Sequence, residues 1–231
     1  ALRLAFIQHK EFAVELRGVQ QERTIADAFR QSGSGDTLVK MAKLDLIVGS
    51  GGVLSHAPRR TQSMRMMIDA FEPEWVTEIA VDSIFMMPHL GVLSTVDQEA
   101  ATEVFERDCI IYLGSCVAPT GEYKPGRPAL KVELAMPDGP QTHTMNEGQL
   151  LKIELEHEPG VQATITPLQG DLDVGAGPGK ALTTTLRGGV VGLVFDTRGR
   201  PIQIPEDGRD RVSLLESWVQ AMDEYPTREG A

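Results

Sequence analysis

In this chain of 231 residues an apolar run, LDLIV, ends in Gly49-Ser50-Gly51-Gly52. Glycines at the end of a strand let a ligand approach the backbone closely. A helix starting there would offer unpaired N–H groups to an anion or a sugar hydroxyl. The spacing leaves two readings open, a structural turn and a nucleotide contact. Asp82 closes a second strand-like run, EIAVD, ahead of an apolar segment, and its position suits either a ligand-facing carboxylate or a helix N-cap.

Other candidates carry less chemistry. DLDVGAGPGK invites a phosphate-loop reading, but such a loop needs Gly at 174 and Ser or Thr at 181, where this chain has Val174 and Ala181. A tight glycine loop joining strands is the expectation there, with Asp171 and Asp173 on a solvated edge. His9, His56, His89, His143 and His157 show no ligand spacing, so no metal site is predicted. Ser50 and Ser115 lack the G-x-S-x-G elbow of a nucleophile. No catalytic residue is therefore assigned. Cys109 and Cys116 are read as reduced core thiols rather than a redox pair. Arg198 and Arg200 in DTRGRPI are expected to face a neighbouring carboxylate rather than a ligand, on a Gly-Arg-Pro hairpin exit.

Charge narrows the function classes. Thirty-three acidic against 22 basic residues give a formal net charge of −11, which repels phosphate backbones and anionic lipid. Nucleic acid and membrane surfaces are thus not expected partners. No apolar stretch reaches a membrane span, and the first residues lack a signal-peptide pattern, so a cytoplasmic protein is expected. The chain opens without Met on a helical pattern, Leu2, Ala5, Phe6 and His9, which suggests a piece of something longer.

The elements that must hold these residues divide at about residue 124, in GEYKPGRPAL. Residues 1–124 alternate helical and strand patterns: helices at 1–9, 22–31, 36–43, 60–71 and through IFMMPHLGVLS; strands at FAVEL, LDLIV, 78–81 and CIIYLGS. Thr95 and Gln98 suggest a capping box for the helix DQEAATEVFERD. Residues 125–231 read as a small antiparallel β domain, with strands LKVELAM, LLKIELEH, VQATITPL, ALTTTLRG and GVVGLVFD. An amphipathic helix from about Arg211 to Tyr225 follows, striped by Val212, Leu215, Trp218 and Met222. The predicted fold is α/β followed by antiparallel β with a C-terminal helix.

Three segments, LDLIVGSGGVLS, VDSIFMMPHLGVLS and GGVVGLVFDTRGRPIQIP, resemble the C-terminal part of the methylaspartate (glutamate) mutase accessory proteins of the MutL type. That family in turn resembles the actin, sugar kinase and Hsp70 ATPase superfamily. The resemblance implies an actin-like ATPase half-domain over 1–124, with Gly49, Ser50, Gly51 and Gly52 meeting the adenosine of ATP or ADP and Asp82 nearby. It also implies a chaperone-like role beside an adenosylcobalamin-dependent mutase. No D-x-G-[ST] phosphate hairpin occurs in the chain, so phosphoryl chemistry would need an N-terminal half of the same protein or a partner chain. The alternative is a non-catalytic binding or self-assembly module, a homo-oligomer in which the glycine turn is only structural.

Overall fold

A computed structural model describes residues 1–13 and 38–225. Its elements in chain order are α1 (Leu2–Phe12), a 3₁₀ turn (Met41–Lys43), β1 (Leu46–Gly49), α2 (Gly52–Ser55), α3 (Arg60–Phe71), β2 (Trp75–Asp82), α4 (Met87–Leu93), α5 (Gln98–Val104) and a π turn (Phe105–Cys109). Then follow β3 (Ile110–Ala118), β4 (Pro128–Met136), β5 (Gly139–Asn146), β6 (Leu150–Ile153), β7 (Val161–Pro167), β8 (Leu182–Leu186), β9 (Leu193–Asp196) and α6 (Gly208–Ala221).

Two sheets form, a mixed one in the order β1-β2-β3-β9-β6 and an antiparallel one in the order β5-β4-β7-β8. The mixed sheet is the middle layer, and the period-two alternation of its strands divides two cores. Ile79, Val81, Cys116 and Val194 face Met64, Met67 and Ile68 of α3 and Trp218 of α6. Val117, Leu193 and Phe195 point the other way, onto Leu130, Val132, Ile165 and Leu186 of the second sheet. With few aromatics, both cores are built chiefly of aliphatic side chains and Met. The two thiols are free and buried, and burial pushes that of Cys116 up to about 12.

Residue 124 falls in the loop between β3 and β4, where the character of the strands changes, yet both cores draw on each side of it. Strands β6 and β9 leave the second half to complete the sheet begun by β1–β3. Glycines permit this crossing. A Cβ on Gly114 would lie 1.8 Å from the Gly192 carbonyl oxygen, and one on Gly189 would lie 2.4 Å from the carbonyl oxygen of Tyr112. The bare backbones pack closely enough for Val190 N–H and Val191 N–H to donate to the carbonyls of Tyr112 and Leu113 at 3.0 and 2.9 Å.

Several local expectations need correction. The first cap of α5 is Asp97, whose carboxylate accepts from Ala100 N–H at 3.0 Å, while the Thr95 hydroxyl turns back to Val92. Asp bonds N2 or N3 amides as readily as Thr, and here it sits one residue before the helix. The described part of the helix expected over 36–43 is extended at Lys40 and then a single 3₁₀ turn. Phe12, assigned to a strand, closes α1, whereas residues 14–16 of that strand and the helix at 22–31 lie outside the described residues. Strand β5 has no signature in the sequence, because the QTHT within it carries no apolar alternation. Helix α6 starts earlier than expected, at Gly208, since Asp207 caps it through Arg209 N–H and Asp210 N–H.

Candidate functional site

Parallel pairing of β1 with β2 sets Gly49 opposite Val81, which brings the glycine turn and Asp82 to the same end of the sheet. Ser50 Oγ donates to Asp82 Oδ2 at 3.1 Å. The same carboxylate accepts from Met87 N–H at 2.8 Å, Met86 N–H at 3.1 Å and Ile84 N–H at 3.4 Å. Ser55 Oγ donates to the Asp82 carbonyl at 2.6 Å, tying the single turn of α2 to the strand end. Burial pushes the Asp82 carboxyl up, but the amides of Met87 and Met86 and the Ser50 hydroxyl outweigh it, and the group lies below its ordinary value. Asp82 is fully buried and its oxygens are taken up by its own chain, so it acts as a clamp behind the turn.

The turn itself divides in two. Gly49 faces the core, where a Cβ would meet Leu54 Cδ1 at 2.7 Å and Met67 Sδ at 2.8 Å. Gly51, at φ +112°, and Gly52 have no heavy atom within 4 Å of a would-be Cβ. With Ser50 they line a cleft of about 1210 Å³ bounded by the start of α1, α3, the segment after β9 and α6. Met66, Ile202, Leu215 and Trp218 give it a largely apolar wall.

Its polar wall is made by Arg65, Asp69, Arg198 and Glu224, far apart in sequence, with Asp196 and Arg200 behind it. Asp196 is held bidentately by Arg198, through Nε at 2.9 Å and Nη2 at 2.9 Å, and again by Arg200 Nη2 at 3.0 Å. Arg198 Nη1 lies 2.7 Å from Asp69 Oδ1, and its guanidinium sits 4.7 Å from the Trp218 ring centroid. Arg65 pairs with Glu224 at 2.8 Å. Burial would raise the Asp196 carboxyl, but Arg200 and Arg198 hold it at about 2. Burial would likewise lower both guanidinium values, and the Asp196 charge reverses that for each. The cations of this wall are thus already neutralised.

DTRGRPI accordingly meets a carboxylate of its own, as its turn chemistry suggested, although Arg198 also borders the cleft. The 171–180 segment is a loop between β7 and β8, closed on itself by Asp173 Oδ1, which accepts from Gly175 N–H at 2.7 Å and Gly177 N–H at 2.9 Å. Asp69, Arg65, Glu224 and Trp218 were not singled out as site residues. Only the tertiary packing of α3 against α6 assembles them. Among the described residues no three His, Cys, Asp or Glu side chains are grouped to hold a metal ion, and no helix is long and apolar enough to cross a membrane.

Compared with known proteins, residues 1–109 match the family model described as MutL protein. The match spans β1, the glycine turn, α3 and Asp82, and it bears out the resemblance carried by LDLIVGSGGVLS and VDSIFMMPHLGVLS. Neither the curated proteins nor the solved structures returned a match.

Proposed function

We propose that this chain is part of an accessory factor for an adenosylcobalamin-dependent mutase of the glutamate mutase kind, and that its cleft takes the adenosine part of ATP or ADP. One observation supports the nucleotide reading above the rest. Gly51 and Gly52 present bare backbone to an apolar cleft at the end of the edge strand β1, where a flat base and ribose can lie close to the main chain. Among the described residues the phosphate end has no such provision. Arg65 and Arg198 already carry carboxylate partners, and phosphoryl transfer needs uncommitted donors and Mg²⁺ at the γ-phosphate. Hydrolysis therefore calls for an N-terminal half or another polypeptide that supplies the phosphate loops.

The test is calorimetric titration of the full 231-residue chain with adenosine, AMP and ADP. Affinities for all three are expected within about threefold of one another, because the binding energy comes from base and ribose. Gly52→Val should lower each by at least about tenfold, since its side chain would enter the cleft. ADP bound far more tightly than adenosine, or no binding of any of the three, would overturn the adenosine reading.

A further inference from the structure

Away from the cleft, the segment between β2 and α5 carries a concentration of exposed apolar side chains. Within residues 84–96, Ile84 is 56 % exposed, Phe85 52 %, Val92 71 % and Val96 87 %, with Met87 and Leu93 at 39 and 40 %. Helix α4 buries Leu90 alone. Single exposed apolar residues are ordinary on any surface, but six in so short a stretch form a patch of the kind that marks an interaction site.

The backbone beneath the patch is fixed. Asp82 holds the amides of Ile84, Met86 and Met87, and Ser83 N–H donates to the Cys109 carbonyl at 2.8 Å. Phe85 is kept at φ +60°, a left-handed conformation unfavourable for a bulky residue, and its ring is half exposed. Apolar groups held outward on a rigid base lose little freedom when a partner covers them.

The charges beside the patch indicate what that partner is. Asp97, Glu99, Glu103, Glu106 and Asp108 follow on α5 and the π turn. The one cation among them, Arg107, is bound to Asp108 at 2.7 Å and Glu103 at 3.6 Å. Five carboxylates against one guanidinium leave a net −4 over residues 97–108. A second copy of this chain would set two acidic rims together, and an anionic membrane would be repelled in the same way.

We propose that residues 84–96, with the acidic helix beside them, form a docking face for a separate protein that presents an apolar helix face rimmed by lysine or arginine. The inference is independent of the nucleotide reading, because none of these residues lines the cleft.

Hydrogen exchange of the full chain tests it, with a synthetic amphipathic leucine–lysine helix as probe and its leucine–glutamate counterpart as control. The lysine peptide is expected to protect amides within residues 84–104, and the glutamate peptide to protect none. Affinity should fall at least tenfold in 0.5 M NaCl, and as much in the exposed-site variant I84N/V92N/V96N, provided its thermal midpoint matches the parent. Equal protection by both peptides would overturn the proposal. So would a concentration-dependent dimer in sedimentation that the triple variant abolishes, which would make a second copy the occupant. Stronger protection of 84–96 in the native polypeptide from its source cell than in the 231-residue chain, with no partner added to either, would place the face inside a larger fold and overturn it equally.

Discussion

Two fully buried carboxylates end strands of the same sheet, and their charges are stabilised in opposite ways. Asp196, at the end of β9, is gripped by two guanidinium groups; Asp82, at the end of β2, is held by backbone amides and one serine hydroxyl. Ion pairing locks the first into a wall with Asp69 and Trp218, and it commits both Arg198 and Arg200 to carboxylates. Amide bonding fixes the second while adding no side-chain bulk, so the glycine turn in front of it stays open. The same residue type thus serves rigidity in one place and access in the other.

Removing the Asp196 carboxylate should have the largest effect, because Asp196→Ala leaves buried Arg200 without a carboxylate and buried Arg198 with Asp69 alone. Urea denaturation should show a loss of about 3–5 kcal/mol. A loss under 1 kcal/mol would mean water already solvates the arginines. Acid probes the same pair from the proton side. Asp196 has a folded value of about 2, below the ordinary carboxylate value near 3.9, so its contribution is complete above about pH 4. It is lost as the pH falls toward 2, and amounts to roughly 2–3 kcal/mol. Stability measured between pH 5 and 2 should therefore fall more steeply in the parent than in Asp196→Ala.

Asp82→Asn keeps the shape but replaces one accepting oxygen by a donor that faces amides, and it should cost about 1–3 kcal/mol in the same denaturation. A cost equal to that of Asp196→Ala would erase the distinction between the two sites. Ser50→Ala removes one partly buried hydrogen bond and should cost about 1 kcal/mol or less. Its sharper readout is hydrogen exchange, where the amides of Ile84, Met86 and Met87 should stay protected because Asp82 still accepts from them. Opening of those amides in Ser50→Ala would show that the turn, not the carboxylate, sets the loop.

Periodicity made much of this legible. Helix α3 covers the span 60–71 read from its spacing, and LDLIV, EIAVD and CIIYLGS became adjacent strands of one sheet. Turn chemistry identified the 171–180 loop and the self-paired arginines. What stayed hidden depends on contacts distant in sequence. The crossing of β6 and β9 into the first sheet follows from glycines whose need appears only when two backbones meet. The cleft wall joins Arg65 to Glu224 and Asp69 to Arg198, pairs that no local pattern connects. Capping went to Asp97 because Thr and Asp serve equally well as caps, and a shift of two residues in the helix start decides between Thr95 and Asp97.

The insertion of β9 beside β3, seen in the pairs Cys116 with Val194 and Val117 with Phe195, has a consequence for synthesis. During translation β1, β2 and β3 emerge well before the strand that covers the open side of β3. Until residue 196 clears the ribosomal exit tunnel, that apolar edge has no native neighbour, and loop-closure entropy delays its capture afterwards. Nascent chains arrested shortly after β3 should therefore recruit holding chaperones, and chains extended past α6 should release them.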